Sequence, residues 1–230
     1  MAVSRLDNWL AFTDASDPTG SATISAGSNR VHIELVIGER TGGDISVSTY
    51  TIGTKTYDVA SELFLDNGTE DLLVKIFVWL EATIASMSGT SRSYADDAAP
   101  IGASMSWSAA TFQDVGDQSI TADNFDQQSS TSTKTLTHDT TSTSDDEIIA
   151  AAVLNASNRA PFDWDTLTEQ QTTSPNPISG VADGNGGDNS TLLQNDGVAN
   201  SAFAAITLVL FASSGNTMLI RQQHEGIMHG

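Results

Sequence analysis

The sequence predicts an all-β fold, an antiparallel β-sandwich of jelly-roll-like type with long loops and little helix. Three observations carry the expectation. Apolar residues alternate at period two in several short runs, as with Val31, Ile33 and Leu35, the pattern of a strand with one buried face. Turn formers separate these runs, notably residues 26–29, 41–44 and 66–69, the last containing Asn67-Gly68. Strand-like runs recur across residues 22–220 without helical patterns between them, which argues against a parallel α/β sheet.

The elements follow in order. Residues 1–21 combine the apolar anchors Trp9, Leu10 and Phe12 with the turn formers Asp17-Pro18-Thr19-Gly20, and read as an N-terminal segment docked on the domain. Residues 22–25 form a short strand. Residues 31–37 form a half-buried one, on whose polar phase His32 falls. Residues 45–52, with Ile45 and Val47 on one face, pair with residues 56–59 as a hairpin. Residues 72–80 are β-branched and aromatic and favour a central strand, although with residues 81–84 they are also long enough for a short helix. Residues 86–99 read as loop and residues 104–112 as a strand through Met105 and Trp107.

Residues 129–144 contain 12 Ser or Thr among 16 and read either as disordered or, around Thr135-Leu136-Thr137, as a polar edge strand. Residues 147–154 are a buried strand or a short helix capped by Asp145-Asp146. Residues 155–202 carry Pro161, Pro175, Pro177 and many glycines with almost no apolar periodicity, and read as a long loop insertion of the kind that carries function or contacts. Residues 202–211 form a central strand, and residues 218–220 a last one before a tail at 221–230. The organisation is thus a docking segment, one sandwich domain over residues 22–220 and a C-terminal tail.

Composition narrows the function classes. Of 230 residues, 29 are acidic and 9 basic, a formal charge of −20, so the surface repels nucleic acid and anionic membrane. A saline habitat would select the same acidity. No cysteine is present, which excludes disulfides, thiolate nucleophiles and Cys-based zinc sites. The first residues show no apolar core or cleavage site of a secretory signal, and no apolar run reaches membrane-spanning length, so synthesis in the cytoplasm is expected.

Chemistry-bearing patterns are few. Asp163-Trp164-Asp165 places an aromatic between two acids, an arrangement that could hold a sugar face against carboxylates. The competing reading is a loop Trp packed on the sandwich edge with both acids solvated. Asp183, Asn185 and Asp188 alternate with glycines, as oxygen ligands of calcium do, but Gly187 and Gln194 break EF-hand spacing. The alternative is an ordinary Gly-rich turn, and no cofactor is otherwise expected. His32, His138, His224 and His229 show no metal-ligand spacing. Nucleophile-elbow, dinucleotide and phosphate-loop motifs are absent, so no catalytic residue is assigned. Trp79 and Trp107 lie in strands and read as core. Trp9 and Trp164 lie in irregular segments and read, with Phe12, Ile227 and Met228, as partner contacts.

Residues 27–37, the Gly-rich turn after them and residues 45–50, together with Val78-Trp79-Leu80, residues 106–112 and residues 205–210, resemble the β-sandwich proteins of tailed-phage virions. The resemblance covers residues 22–212 as strand texture, without a diagnostic motif. It implies a non-enzymatic structural protein: a capsid decoration protein of cement or head-spike type, or a tail component. It also implies contacts with major capsid or tail proteins and with further copies of itself, a homo-oligomer with a trimer favoured. A carbohydrate- or receptor-binding module of a tail fibre, using Asp163, Trp164 and Asp165, is the alternative.

Overall fold

A computed structural model describes residues 1–13, 20–41, 45–66, 70–95, 103–130, 135–138, 140–154, 162–173, 178–187, 193–194 and 202–213. The strands, in chain order, are β1 (Ser4–Arg5), β2 (Leu10–Thr13), β3 (Val31–Thr41), β4 (Thr49–Ile52), β5 (Lys55–Thr56), β6 (Val59–Asp66), β7 (Glu70–Leu80) and β8 (Arg92–Ala95). They continue with β9 (Ala103–Gln113), β10 (Phe125–Ser130), β11 (Thr135–Leu136), β12 (Glu147–Leu154), β13 (Thr168–Thr173), β14 (Ile178–Asn185), β15 (Leu193–Gln194) and β16 (Phe203–Leu210). One short helix, α1 (Glu81–Ala85), follows β7, and a 3-10 turn at Ala122–Asn124 precedes β10.

The fold is all-β and sandwich-like. One sheet has the order β1-β9-β3-β7-β6, with β2 also on β9; the other has the order β10-β16-β12-β14-β13, and every pairing is antiparallel. Among these strands the chain crosses between the two sheets once, after β9, where a jelly roll crosses repeatedly. A three-stranded sheet, β5-β4-β8, and the pair β11-β15 complete the set.

Among the described residues, three hydrophobic clusters form successive layers. Between the two large sheets lie Ile33, Leu35, Val74, Ile76 and Phe112 against Ile149, Val153, Ile206 and Leu208. On the outer face of the first sheet, Val36, Phe77, Trp79 and Trp107 pack under Ile45, Val47, Tyr50 and Ile52 of the small sheet and its lead-in. On the outer face of the second, Ile148, Ala150, Phe203 and Val209 are covered by Phe162, Trp164, Leu167 and Leu136. Central strands are therefore buried on both faces, which is why β12 and β16 read as continuous apolar runs without alternation.

This layering corrects several expectations. Residues 31–37 are buried throughout, because the small sheet covers the side expected to be polar. Residues 45–48 are not strand: Lys75 Nζ donates to the Val47 carbonyl at 2.7 Å, and the ladder begins only at Thr49. Residues 22–25 form no strand; the isolated bridge there belongs to the preceding residue, Ser21, which meets Ser91. The supposed loop at 86–99 supplies β8, and β6 was not anticipated.

The largest correction is the insertion at 155–202, which contains β13 and β14, both members of the second sheet. Its glycines hid the strand. A Cβ on Gly180 would lie 2.7 Å from the Trp164 ring, so the covering aromatics take the place of a side chain there. The N-terminal segment pairs with β9 through β1 and β2, as edge strands of the first sheet. The turns expected at residues 17–19 and 67–69 and the strand at 218–220 lie outside the described residues.

Candidate functional site

Among the described residues, four of the places where polar side chains meet are candidates for a site. The first is sealed between the first sheet and the small one. Glu34, 1% exposed, accepts from Arg92 Nε at 2.9 and 3.0 Å and from the Tyr50 hydroxyl; His32 Nε2 lies 3.1 Å from it. Arg92 also donates to the Ser21 carbonyl at 2.8 Å, and His32 Nδ1 meets Thr111 Oγ1 at 3.0 Å. Burial pushes the Glu34 carboxyl up, but the hydrogen bond and charge of His32 and the charge of Arg92 outweigh it and hold the group below its usual range. Tyr50 is raised, by burial first and then by the adjacent carboxylate. The cluster fastens β4 and β8 to β3. Its members are buried from solvent.

The second lies where the N-terminal segment meets the end of β14. Arg5 donates to Asp183 Oδ2 at 2.6 Å and the Trp9 indole donates to the same oxygen at 2.7 Å. Glu147, on the neighbouring strand, faces the same gap between the sheets. Burial, then the charge of Asp183, raise it to about 8 against the pull of Arg5.

The third joins His138 to sheet two. Its Nδ1 meets both Thr207 Oγ1 at 2.8 Å and Asp126 Oδ2 at 2.9 Å. A hydroxyl–imidazole–carboxylate relay needs the two partners on opposite ring nitrogens. Here both lie on one, so this is a structural clamp, which Thr140 extends by donating to Asp126 at 3.1 Å.

The fourth is open. Between the edge strands β6 and β10, where the two sheets part, lies a cleft of about 430 Å³ lined by Val59, Ala60, Ser61, Ala122, Phe125, Asp126 and Gln127. The Gln127 side-chain amide donates to Ser61 Oγ across it.

The sequence candidates fall elsewhere. Trp9 is 6% exposed in the inter-sheet core, and Trp164 is 5% exposed against Phe162, with its indole donating to Glu169 at 2.9 Å. Neither ring is a free contact surface, because each covers apolar neighbours of its own chain. Asp163 and Asp165 are exposed on either side of Trp164. The Asp163 carboxylate accepts from the Asp165 amide at 3.1 Å, and Asp165 has a left-handed φ of 52°, so these acids shape a turn. The sugar platform expected of Asp163, Trp164 and Asp165 is therefore not formed.

The calcium reading of Asp183, Asn185 and Asp188 is corrected too. Asp183 and Asn185 stand on β14, not in a loop, and the Asp183 carboxylate turns inward to a cation already supplied by Arg5. Asp188, Ile227 and Met228 lie outside the described residues, and Phe12 stands opposite Trp107 in the β2–β9 pair. Among the described residues, no group of three or more potential ligands could hold a metal ion. Sequence reasoning missed the Glu34–Arg92 cluster and the cleft. The signal for the first was the pair of polar residues His32 and Glu34 within the strand-like run 31–37.

Comparison with known proteins adds no relative: no family model, curated protein or solved structure matches the chain.

Proposed function

We propose that the protein is a non-enzymatic structural component of a tailed-phage virion, a capsid decoration protein that works through contacts with neighbouring subunits. The observation that carries the assembly half of this reading is at the rims of the first sheet. Its two outermost positions, β2 and β6, each carry an exposed large apolar side chain, Leu10 at 44% and Phe64 at 37%. Exposed apolar side chains on the outermost strands of a sheet are adhesive, and proteins that remain monomers cover or charge such edges. The polar clusters of Glu34 and His138, by contrast, hold the chain's own sheets together. The phage assignment rests on the strand texture of residues 22–212, the acidic surface and the absence of cysteine.

Two measurements test it. Light scattering after size exclusion is expected to give a closed oligomer, a trimer first, that Phe64→Glu dissociates without loss of the β-sheet circular dichroism signal. Gold-labelled antibody against the chain is expected on the heads of the encoding phage. A monomer at all concentrations sinks the assembly reading, and label confined to the tail moves the protein there.

A further inference from the structure

We infer that the cleft between β6 and β10 is a binding site for a neutral polyhydroxylated ligand, a saccharide unit by its chemistry. The site is independent of the assembly reading and would stand if that reading failed.

Three features of the cleft carry the inference. The first is its position: it opens at the seam where the edge strands of two sheets face each other, and its volume of about 430 Å³ falls within the range of small-molecule sites, about 300–1,000 Å³. The second is its polar equipment. Gln127 donates its amide nitrogen to Ser61 Oγ, which leaves Gln127 Oε1 as an acceptor beside the Ser61 hydroxyl proton as a donor. An adjacent acceptor and donor match a vicinal diol, in which each hydroxyl both gives and takes a hydrogen bond. Beside them Phe125 and Val59, partly buried against the inter-sheet core, line the cleft with apolar surface that the C–H groups of a sugar can meet. The third is charge. The lining holds Asp126 and neither Lys nor Arg, on a chain of net charge −20, so phosphate, sulfate and acidic sugars are repelled.

The site lies far along the chain from Asp163, Trp164 and Asp165, and draws on strands from both halves of the fold. Affinity for a single unit in so open a cleft is expected on the order of millimolar, since few ligand atoms are enclosed.

The test is saturation-transfer NMR on the full chain with a panel of glucose, galactose, N-acetylglucosamine, maltose and cellobiose, alongside sialic acid and spermidine as charged probes. Two variants address the lining. Ala122→Trp fills the mouth from an exposed position, and Gln127→Ala removes the acceptor from an exposed side chain. The expected result is transfer to at least one neutral saccharide, weakened tenfold or more in at least one variant whose thermal transition is unchanged. The inference is overturned if no neutral saccharide receives transfer, if transfer is undiminished in both variants, or if sialic acid or spermidine binds better than every neutral probe.

Discussion

The indole nitrogen of Trp9 donates to Asp183 Oδ2 at 2.7 Å across 174 residues of chain. It is one of several bonds through which the N-terminal segment, paired with β9 in one large sheet, grips the other. Arg5 shares the same carboxylate, Val3 N donates to the Asp145 carbonyl at 2.8 Å, and Gln171 donates to the Trp9 carbonyl at 2.9 Å. Residues 3–9 therefore act as a clasp across the mouth of the sandwich.

The clasp predicts a large stability loss from a residue far from the middle of the sequence. Trp9→Ala removes a buried aromatic from the inter-sheet core and leaves Asp183 short of one donor, and is expected to cost about 3–5 kcal/mol. Asp183→Asn keeps the shape but loses the charge that both donors favour, and is expected to cost about 1–3 kcal/mol. Urea denaturation of the full chain measures both. A loss under 1 kcal/mol for Trp9→Ala would show that the segment does not clasp the sheets.

Glu147 gives stability a pH slope. Its folded value of about 8 lies above the usual 4.5, so between these limits the folded chain binds the proton that the unfolded chain has released. This contribution makes stability fall as pH rises from about 4.5 to about 8 and level off above, by at most ~5 kcal/mol at about 1.4 kcal/mol per unit. Glu147→Gln is expected to remove that slope and to be the more stable protein at pH 8.5. Melting temperatures of both proteins across pH 5–9 decide it, and parallel curves would refute it.

Glu34 and Arg92 are worth more to each other than to the fold. Glu34→Gln leaves the guanidinium buried beside a neutral amide and is expected to cost about 3–5 kcal/mol, whereas Glu34→Leu combined with Arg92→Leu is expected to cost less than the two single changes added. Because the Glu34 carboxyl is held below its usual range, its contribution is fully present above pH 4.5 and is lost as pH falls through the folded value. A double-mutant cycle by urea denaturation at pH 7 reads the coupling, and simple additivity would rule it out.

How far the sequence could be read depended on which faces a strand buries. Residues 72–80 and 202–211 are apolar enough to be buried on any face, and both stand as central strands, β7 and β16. Residues 168–173 and 178–185 were missed because their strandness has no local mark. β13 is a polar edge, and β14 carries glycines at 180 and 184 where Trp164, Phe162 and Leu167 lean on the backbone. Trp9 and Trp164 were misplaced for a related reason: their own segments are irregular, and what buries each ring is contributed by residues distant in sequence or by an opposing strand.

By itself the sequence determined the class of the fold, through period-two and continuous apolar runs broken by turn formers, and the acidity of the surface. Both follow from residues and their immediate neighbours. Only the tertiary structure decided that the polar phase of β3 is roofed by a third sheet, that Asp183 meets Arg5 and Trp9, and that β6 and β10 leave a cleft between them. Those outcomes depend on which strands pair and which faces stack, a matter of contacts between segments tens to hundreds of residues apart that no local pattern encodes.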